Sequence, residues 1–329
     1  MTSTLLRASQ RGTRHAFTLV ELLAVIAIVA ILLALLLPAV QMAREASRRS
    51  RCGNKQKQIV LAAHFFESAH KTIVFNRYSD PGYGGFSDWD AWGSYGGADS
   101  KAWSWLAALL PYLEQGNVYD QGSIPNSTFG ESSATAQTVS VFFCPSDQMQ
   151  GHSPMVEHSH YMKDTPAGLT NYKGVLGSNF CWGPYANTGA SGECEPWLSG
   201  NGLLVPMAWR RPITQGDVED GHSNTLMVGE QTWNNQVFGC STCYGLGFAY
   251  AHSIEASANA ALPPNAKRPD GTEFAKADFE GQNGFRSQHP GGVQFGFADG
   301  SVHFLSDSIN LSVYRALATI ADGEDVNSR

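Results

Sequence analysis

Several groups of residues have the types and spacing for chemistry. His289, Asp299 and His303 suit a metal or acid–base site, and Asp220, His222, Ser223 and Glu230 offer the same mixture of imidazole, hydroxyl and carboxylate. His152, His158 and His160, within GHSPMVEHSHYM, are the nearest approach to a transition-metal tract. Asp80, Asp88 and Asp90 crowd one loop with the oxygen ligands that calcium takes. Each group also has a plainer reading. Asp299-Gly300 is wanted by a hairpin turn, EDGHSNT is a turn whose short polar side chains bond local backbone, and the His and Asp tracts read as solvated loops. No nucleophile with a base and an orienting partner can be named, so the chain reads as something other than an enzyme.

The 6 cysteines are Cys52, Cys144, Cys181, Cys194, Cys240 and Cys243. In a body outside the cytoplasm they are candidates for disulfides, and the favoured pairing joins Cys52 to Cys144 and Cys181 to Cys194. Cys240-Ser-Thr-Cys243 suits either a tight local disulfide or half a metal site. A zinc site shows a second close pair or a His pair at fixed spacing, and that partner is missing, so no metal and no cofactor is expected.

One further group is placed where it should not be. Residues 22–40 are an unbroken apolar run of 19 positions, about 28 Å as a helix and so close to one hydrocarbon core, yet Glu21 stands at its mouth. The run is too long for a secretory signal and no Ala-x-Ala site follows it. A carboxylate at the lipid boundary costs a few kcal/mol and demands a partner. Cutting between Ala16 and Phe17 creates an α-amine four residues upstream of Glu21, and in a packed filament that amine on one subunit neutralises Glu21 on the next.

Ala16-Phe17-Thr18-Leu19-Val20-Glu21-Leu22-Leu23 resembles the cleavage and methylation motif of type IV prepilins and type II secretion pseudopilins. The resemblance implies that a prepilin peptidase cuts before Phe17 and methylates the new amine, and that Glu21 serves assembly. Pro38 falls where pilin helices bend, and a helix-interior Pro removes a backbone hydrogen bond. The residue before the cut is Ala16, where the family usually has Gly. The flanking charges run against the positive-inside rule, with Arg7, Arg11 and Arg14 before the span and Arg44, Arg48, Arg49, Arg51, Lys55 and Lys57 after it. They favour an uncleaved signal anchor, and the cleavage motif is given precedence over them.

After Pro38 the sequence stays helical to about His70, with Ile59, Ala62, Ala63 and Phe66 forming one apolar stripe and Pro38 and Gly53 as points of flexure. From Lys71 turn-formers crowd the chain, and residues 79–100 carry Tyr83, Phe86, Trp89, Trp92 and Tyr95 among glycines, which suit either a surface for a glycan or protein ligand or a set of rings packed over the stalk helix. A short helix is expected over 101–109, ended or bent by Pro111, with Trp103 and Trp105 as core anchors. Strands are expected at 138–143 and 224–230. Asp299-Gly300 reads as a two-residue type I′ turn opposing Phe297 to Val302 and Phe295 to Phe304, which puts Val293, Phe295, Phe297, Val302 and Phe304 on one face and His303 on the other.

RCGNKQKQIVLAAHFF, WSWLAALLPYLEQ, FFCPSD, TNYKGVLG, EDGHSNTLMVGE and SQHPGGVQFGFADGSVHFLSD together resemble a bacterial prepilin-like family of unknown function, domain of unknown function 1559, whose hallmark His-x9-Asp-Gly is here His289, Asp299 and Gly300. The expected architecture is α+β. A leader over 1–16 precedes a pilin-like helix over 17–70, transmembrane in its first half, packed on an extracytoplasmic head over 71–329 with an antiparallel sheet and long Gly- and aromatic-rich loops. The net charge is −7, and losing the leader leaves 19 basic against 29 acidic groups, which excludes a nucleic-acid partner. The expected function is a single-span, membrane-anchored structural subunit linked to type II secretion or type IV pilus-like systems, with the peptidase and other pilin-like subunits as partners. The alternative is a non-assembling envelope protein whose head binds polysaccharide or protein.

Overall fold

The computed structural model describes residues 18–76, 97–147, 151, 153–154, 165–188, 200–205, 212–232, 247–251, 255–274, 281 and 283–321. The chain divides into two compact units, 1–47 and 48–329.

Helix α1, Leu19–His70, runs without a break through Pro38 and Gly53. Its buried residues begin at Cys52 and continue as Gln56, Ile59, Val60, Ala62, Ala63 and Phe66, the expected stripe extended by about two turns towards the N-terminus. Before that point the apolar side chains from Leu19 to Val40 are exposed, and this helix is long and apolar enough to cross a membrane.

The head is built on one mixed sheet. Strands β1 Tyr172–Val175, β2 Leu226–Glu230, β3 Ser257–Ala258, β4 Gly292–Phe297 and β5 Val302–Ser306 lie in the order β3-β1-β2-β4-β5. Three of the pairings are antiparallel, as expected, but β3 runs parallel to β1. Helices α2 Trp105–Ala108 and α3 Gly116–Gln121 precede the sheet, and α4 Leu311–Ala316 follows it. One apolar layer joins the α1 stripe to Trp103, Trp105, Tyr172 and Val228; the other joins Phe285, Val293, Phe295 and Phe297 to Tyr314 of α4.

Several local expectations are corrected. The helix expected over 101–109 starts only at Trp105, because the Ser104 side chain accepts from Leu106 N and Ala107 N and so fixes the first turn there. Pro111 then sits inside a 3-10 turn, Leu110–Leu113. Trp103 and Trp105 are fully buried. No strand forms at 138–143, where Ser140–Phe142 is a 3-10 turn. Its carbonyls are taken by a side chain and a loop instead of a ladder: Lys55 Nζ donates to Ser140 O and Phe143 O at 2.7 Å each, and Asn171 N donates to Phe142 O at 2.7 Å. The strand expected from Asn224 begins at Leu226, after a 3-10 turn over His222–Asn224.

The hairpin register is also shifted by one residue. Gly296 pairs with Val302, Phe295 with His303 and Gln294 with Phe304. A type I′ turn needs positive φ at both central residues, and only Gly300 has it, at 86°. Gly300 N donates to Phe297 O and Phe297 N donates to Ser301 O, at 2.9 Å each, so the loop is a type I turn closed by a glycine bulge. A slip of one residue exchanges the faces of β5. Val302 and Phe304 therefore join Gln294 and Gly296 on the side of α1, away from Phe295 and Phe297.

The α1 contact depends on that side of β4 being nearly bare. Gln56 Nε2 donates to Gln294 O at 2.8 Å, Arg49 lies 4.9 Å above the Phe304 ring, and a Cβ on Gly296 would stand 2.6 Å from Val60 Cγ2. Gly296→Ala is therefore expected to destabilise the head by about 1–3 kcal/mol through overpacking. Adding Val60→Ala should recover part of that loss in a denaturation series; strictly additive effects would contradict the contact.

Candidate functional site

The N-terminal site is a helix start. Thr18 is the N-cap of α1 and Glu21 its third residue, and the two form a reciprocal capping box. Thr18 N and Thr18 Oγ1 each donate to Glu21 Oε2 at 2.8 Å, and Glu21 N donates to Thr18 Oγ1 at 3.2 Å. A helix start has four backbone N–H groups without intrahelical partners, and in lipid no water serves them. The box answers two of the four within one chain, Thr18 N and Glu21 N. Both bonds donated by Thr18 fall on one carboxylate oxygen, so Oε1 is left to meet a second group. Ala16 and Phe17 lie outside the described residues.

The motif residues of the C-terminal block do not form one site. His289 precedes β4 and Asp299 follows it, so about 20 Å of strand separates them. Asp299 and Gly300 serve the hairpin. Ser301 N donates to Asp299 Oδ1 at 2.8 Å, Asp299 N donates to His222 O at 3.0 Å, and Lys57 Nζ of α1 donates to Gly300 O. The turn is thus the point where the stalk helix, the EDGHSNT turn and the hairpin meet. His303 is exposed, 3.0 Å from Ser301 Oγ. Asp220 accepts from Thr319 Oγ1 at 3.1 Å. A shallow pocket beside the turn is lined by Ala63, His64, Glu67, His222, Met227 and Ala298 among others; Glu67 there accepts from Gln215 Nε2 at 2.8 Å.

His289 belongs to a second, buried cluster that sequence reasoning did not assemble. Cys52 of α1 and Cys144 of the FFCPSD segment are joined by a disulfide across a sequence separation of 92. His289 Nε2 lies 3.5 Å from Cys144 Sγ and 3.6 Å from Glu230 Oε1, and the His and Glu side chains have no exposure. Glu230 ends β2. Ser287 Oγ donates to its Oε2 at 2.7 Å and accepts from His289 N at 3.0 Å. Asn171 Oδ1 accepts from Cys144 N at 2.8 Å, and Tyr172 Oη donates to Cys52 O at 3.2 Å. The one sequence signal was a carboxylate closing an otherwise apolar strand, LMVGE, which a plain β-edge does not require.

Cys181 is also disulfide-bonded, to a partner outside the described residues. The other candidates lie outside them as well: Cys194, Cys240 and Cys243, the acidic Asp80, Asp88 and Asp90, the aromatics Tyr83, Phe86, Trp89, Trp92 and Tyr95, and His152, His158 and His160.

An apolar helix long enough to cross a membrane, with a carboxylate in its first turn, fits a prepilin-like, membrane-anchored subunit. A model described as "Prokaryotic N-terminal methylation motif" matches residues 11–37, over that same start. A second, described as "Protein of unknown function (DUF1559)", matches residues 41–312, and the chain belongs to that family. No curated protein and no solved structure matches.

Beside the cluster, β1 carries a second buried titratable pair. Burial holds Lys173 down to about 7, against a weaker upward pull from Glu255, while burial and then Glu230 push Tyr172 well above 10. Because the folded Lys173 loses its proton before the unfolded one does, the unfolded chain binds more protons between about pH 7 and 10, and stability rises with pH there by at most roughly 1.4 kcal/mol per unit. Tyr172 stays protonated in both states up to about pH 9; above that the unfolded chain ionises first, so its contribution opposes the rise. Denaturant titrations should show this rise in the wild type and its loss in Lys173→Met; an unchanged slope would contradict it.

Proposed function

We propose that the chain is a structural, non-enzymatic subunit of a pilus-like assembly in the type II secretion or type IV pilus class. A prepilin peptidase cuts before Phe17 and methylates its amine, and the head lies outside the cytoplasm. The single observation that carries this reading is Glu21 in the first turn of an exposed apolar helix, inside the residues matched by the methylation motif.

The physical case is one of charge balance at a lipid boundary. Thr18 occupies one oxygen of the Glu21 carboxylate with neutral donors, which relieves part of the desolvation cost and leaves the charge in place. A terminal amine from a neighbouring subunit, meeting the second oxygen, neutralises it. Assembly is then favoured by close packing of the helices and by pairing of a charge that a lone subunit leaves unbalanced.

Two substitutions separate capping from assembly. Glu21→Val should leave the chain in the membrane fraction but remove it from sheared filament fractions, whereas Thr18→Ala, costing about 1 kcal/mol of helix start, should leave incorporation largely intact. Equal loss in both variants would mean that the carboxylate serves only its own helix, and unchanged incorporation of Glu21→Val would refute the assembly role.

A further inference from the structure

The cluster around His289 has the chemistry of a metal site held shut. Cys52, Cys144, Glu230 and His289 come from four separate segments, all are buried, and their ligand atoms lie within 4.8 Å of one another. Tetrahedral zinc takes sulfur at about 2.3 Å, imidazole nitrogen at about 2.0–2.1 Å and carboxylate oxygen at about 2.0–2.2 Å, so the edges between its ligands fall at roughly 3.3–3.8 Å. Two edges already have that length: 3.5 Å from Cys144 Sγ to His289 Nε2, and 3.6 Å from His289 Nε2 to Glu230 Oε1. The Sγ to Sγ edge does not fit, being a covalent bond of 2.03 Å, and the remaining edges lie within 4.8 Å.

We propose that, when the Cys52–Cys144 bond is reduced, these four side chains bind one zinc-class divalent cation as two thiolates, His289 Nε2 and a Glu230 oxygen. A dithiol reductant breaks the sulfur–sulfur bond, giving two thiols on the chain and a disulfide on the reductant. The cation then displaces both thiol protons to solvent. The outer groups of such a site are already in place, since Ser287 holds the second Glu230 oxygen and Asn171 holds the Cys144 backbone. The stalk helix would stay tied to the FFCPSD segment, β2 and the β4 entry in either redox state, by a disulfide in one and a cation in the other.

The test uses the full chain in detergent, carrying Cys240→Ser and Cys243→Ser so that this close pair does not compete, before and after phosphine reduction and reductant removal. Cobalt(II) is the probe. The reduced chain should develop sulfur-to-cobalt charge-transfer bands and the visible bands of tetrahedral cobalt, saturating at one equivalent and abolished by zinc; the oxidised chain should not. Adding His289→Ala should remove that equivalent, and adding Cys181→Ser should not. In case His289→Ala fails to fold, X-ray absorption of the zinc-loaded reduced parent should show two sulfur and two lighter donors. No cobalt bands after reduction, an equivalent retained by folded His289→Ala, or a shell without two sulfurs would overturn the proposal.

Discussion

The helix that starts at Thr18 must be stable in two solvents. From Leu19 to Val40 its apolar side chains face outward and suit lipid; from Cys52 onward it is buried in protein and carries one wall of the head's core. Those two demands explain its sequence better than helix propensity does. The first part is apolar all round, as a lipid-facing segment must be. The second is striped, and its polar residues are chosen for the strand they cross. Gln56 reaches a β4 carbonyl, Lys57 and Lys55 take carbonyls from the hairpin turn and the FFCPSD segment, and Val60 fits over Gly296.

That arrangement gives the C-terminal His-x9-Asp-Gly block a structural meaning. Its residues sit at the two ends of β4, and each end lies beside a different kind of tie to α1. At one end His289 and Glu230 press against the disulfide that holds Cys52. At the other, the Asp299-Gly300 turn receives Lys57. The strand is therefore pinned at both ends against the helix, with Gly296 leaving room for it between. A catalytic dyad would need the two motif ends together, and the strand keeps them apart.

Much of this was legible in the sequence where the signal is local. The stripe of Ile59, Ala62, Ala63 and Phe66 follows from helical period alone, the burial of Trp103 and Trp105 from their size, and the span from its length. The hairpin was legible as a hairpin but not in register, because Asp-Gly serves both a two-residue turn and a three-residue loop with a bulge, and only the φ of Asp299 decides between them. The strand expected at 138–143 failed for a different reason. Val139, Phe142 and Phe143 are buried, yet the backbone is satisfied by Lys55 and Asn171, partners far away in sequence. Of the buried cluster, the Cys52–Cys144 disulfide was anticipated and is present, but His289 and Glu230 were not placed beside it, because no local pattern reports the packing of four elements.

The account stands on α1 beginning at a cleaved, modified N-terminus at the lipid boundary. Tandem mass spectrometry of the N-terminal peptide of chain recovered from membranes tests this most directly. The account predicts a peptide that begins at Phe17 and carries one methyl group on its α-amine. Recovery of mature chain with residues 1–16 still attached would contradict it, and the pairing proposed for Glu21 would have no amine to draw on.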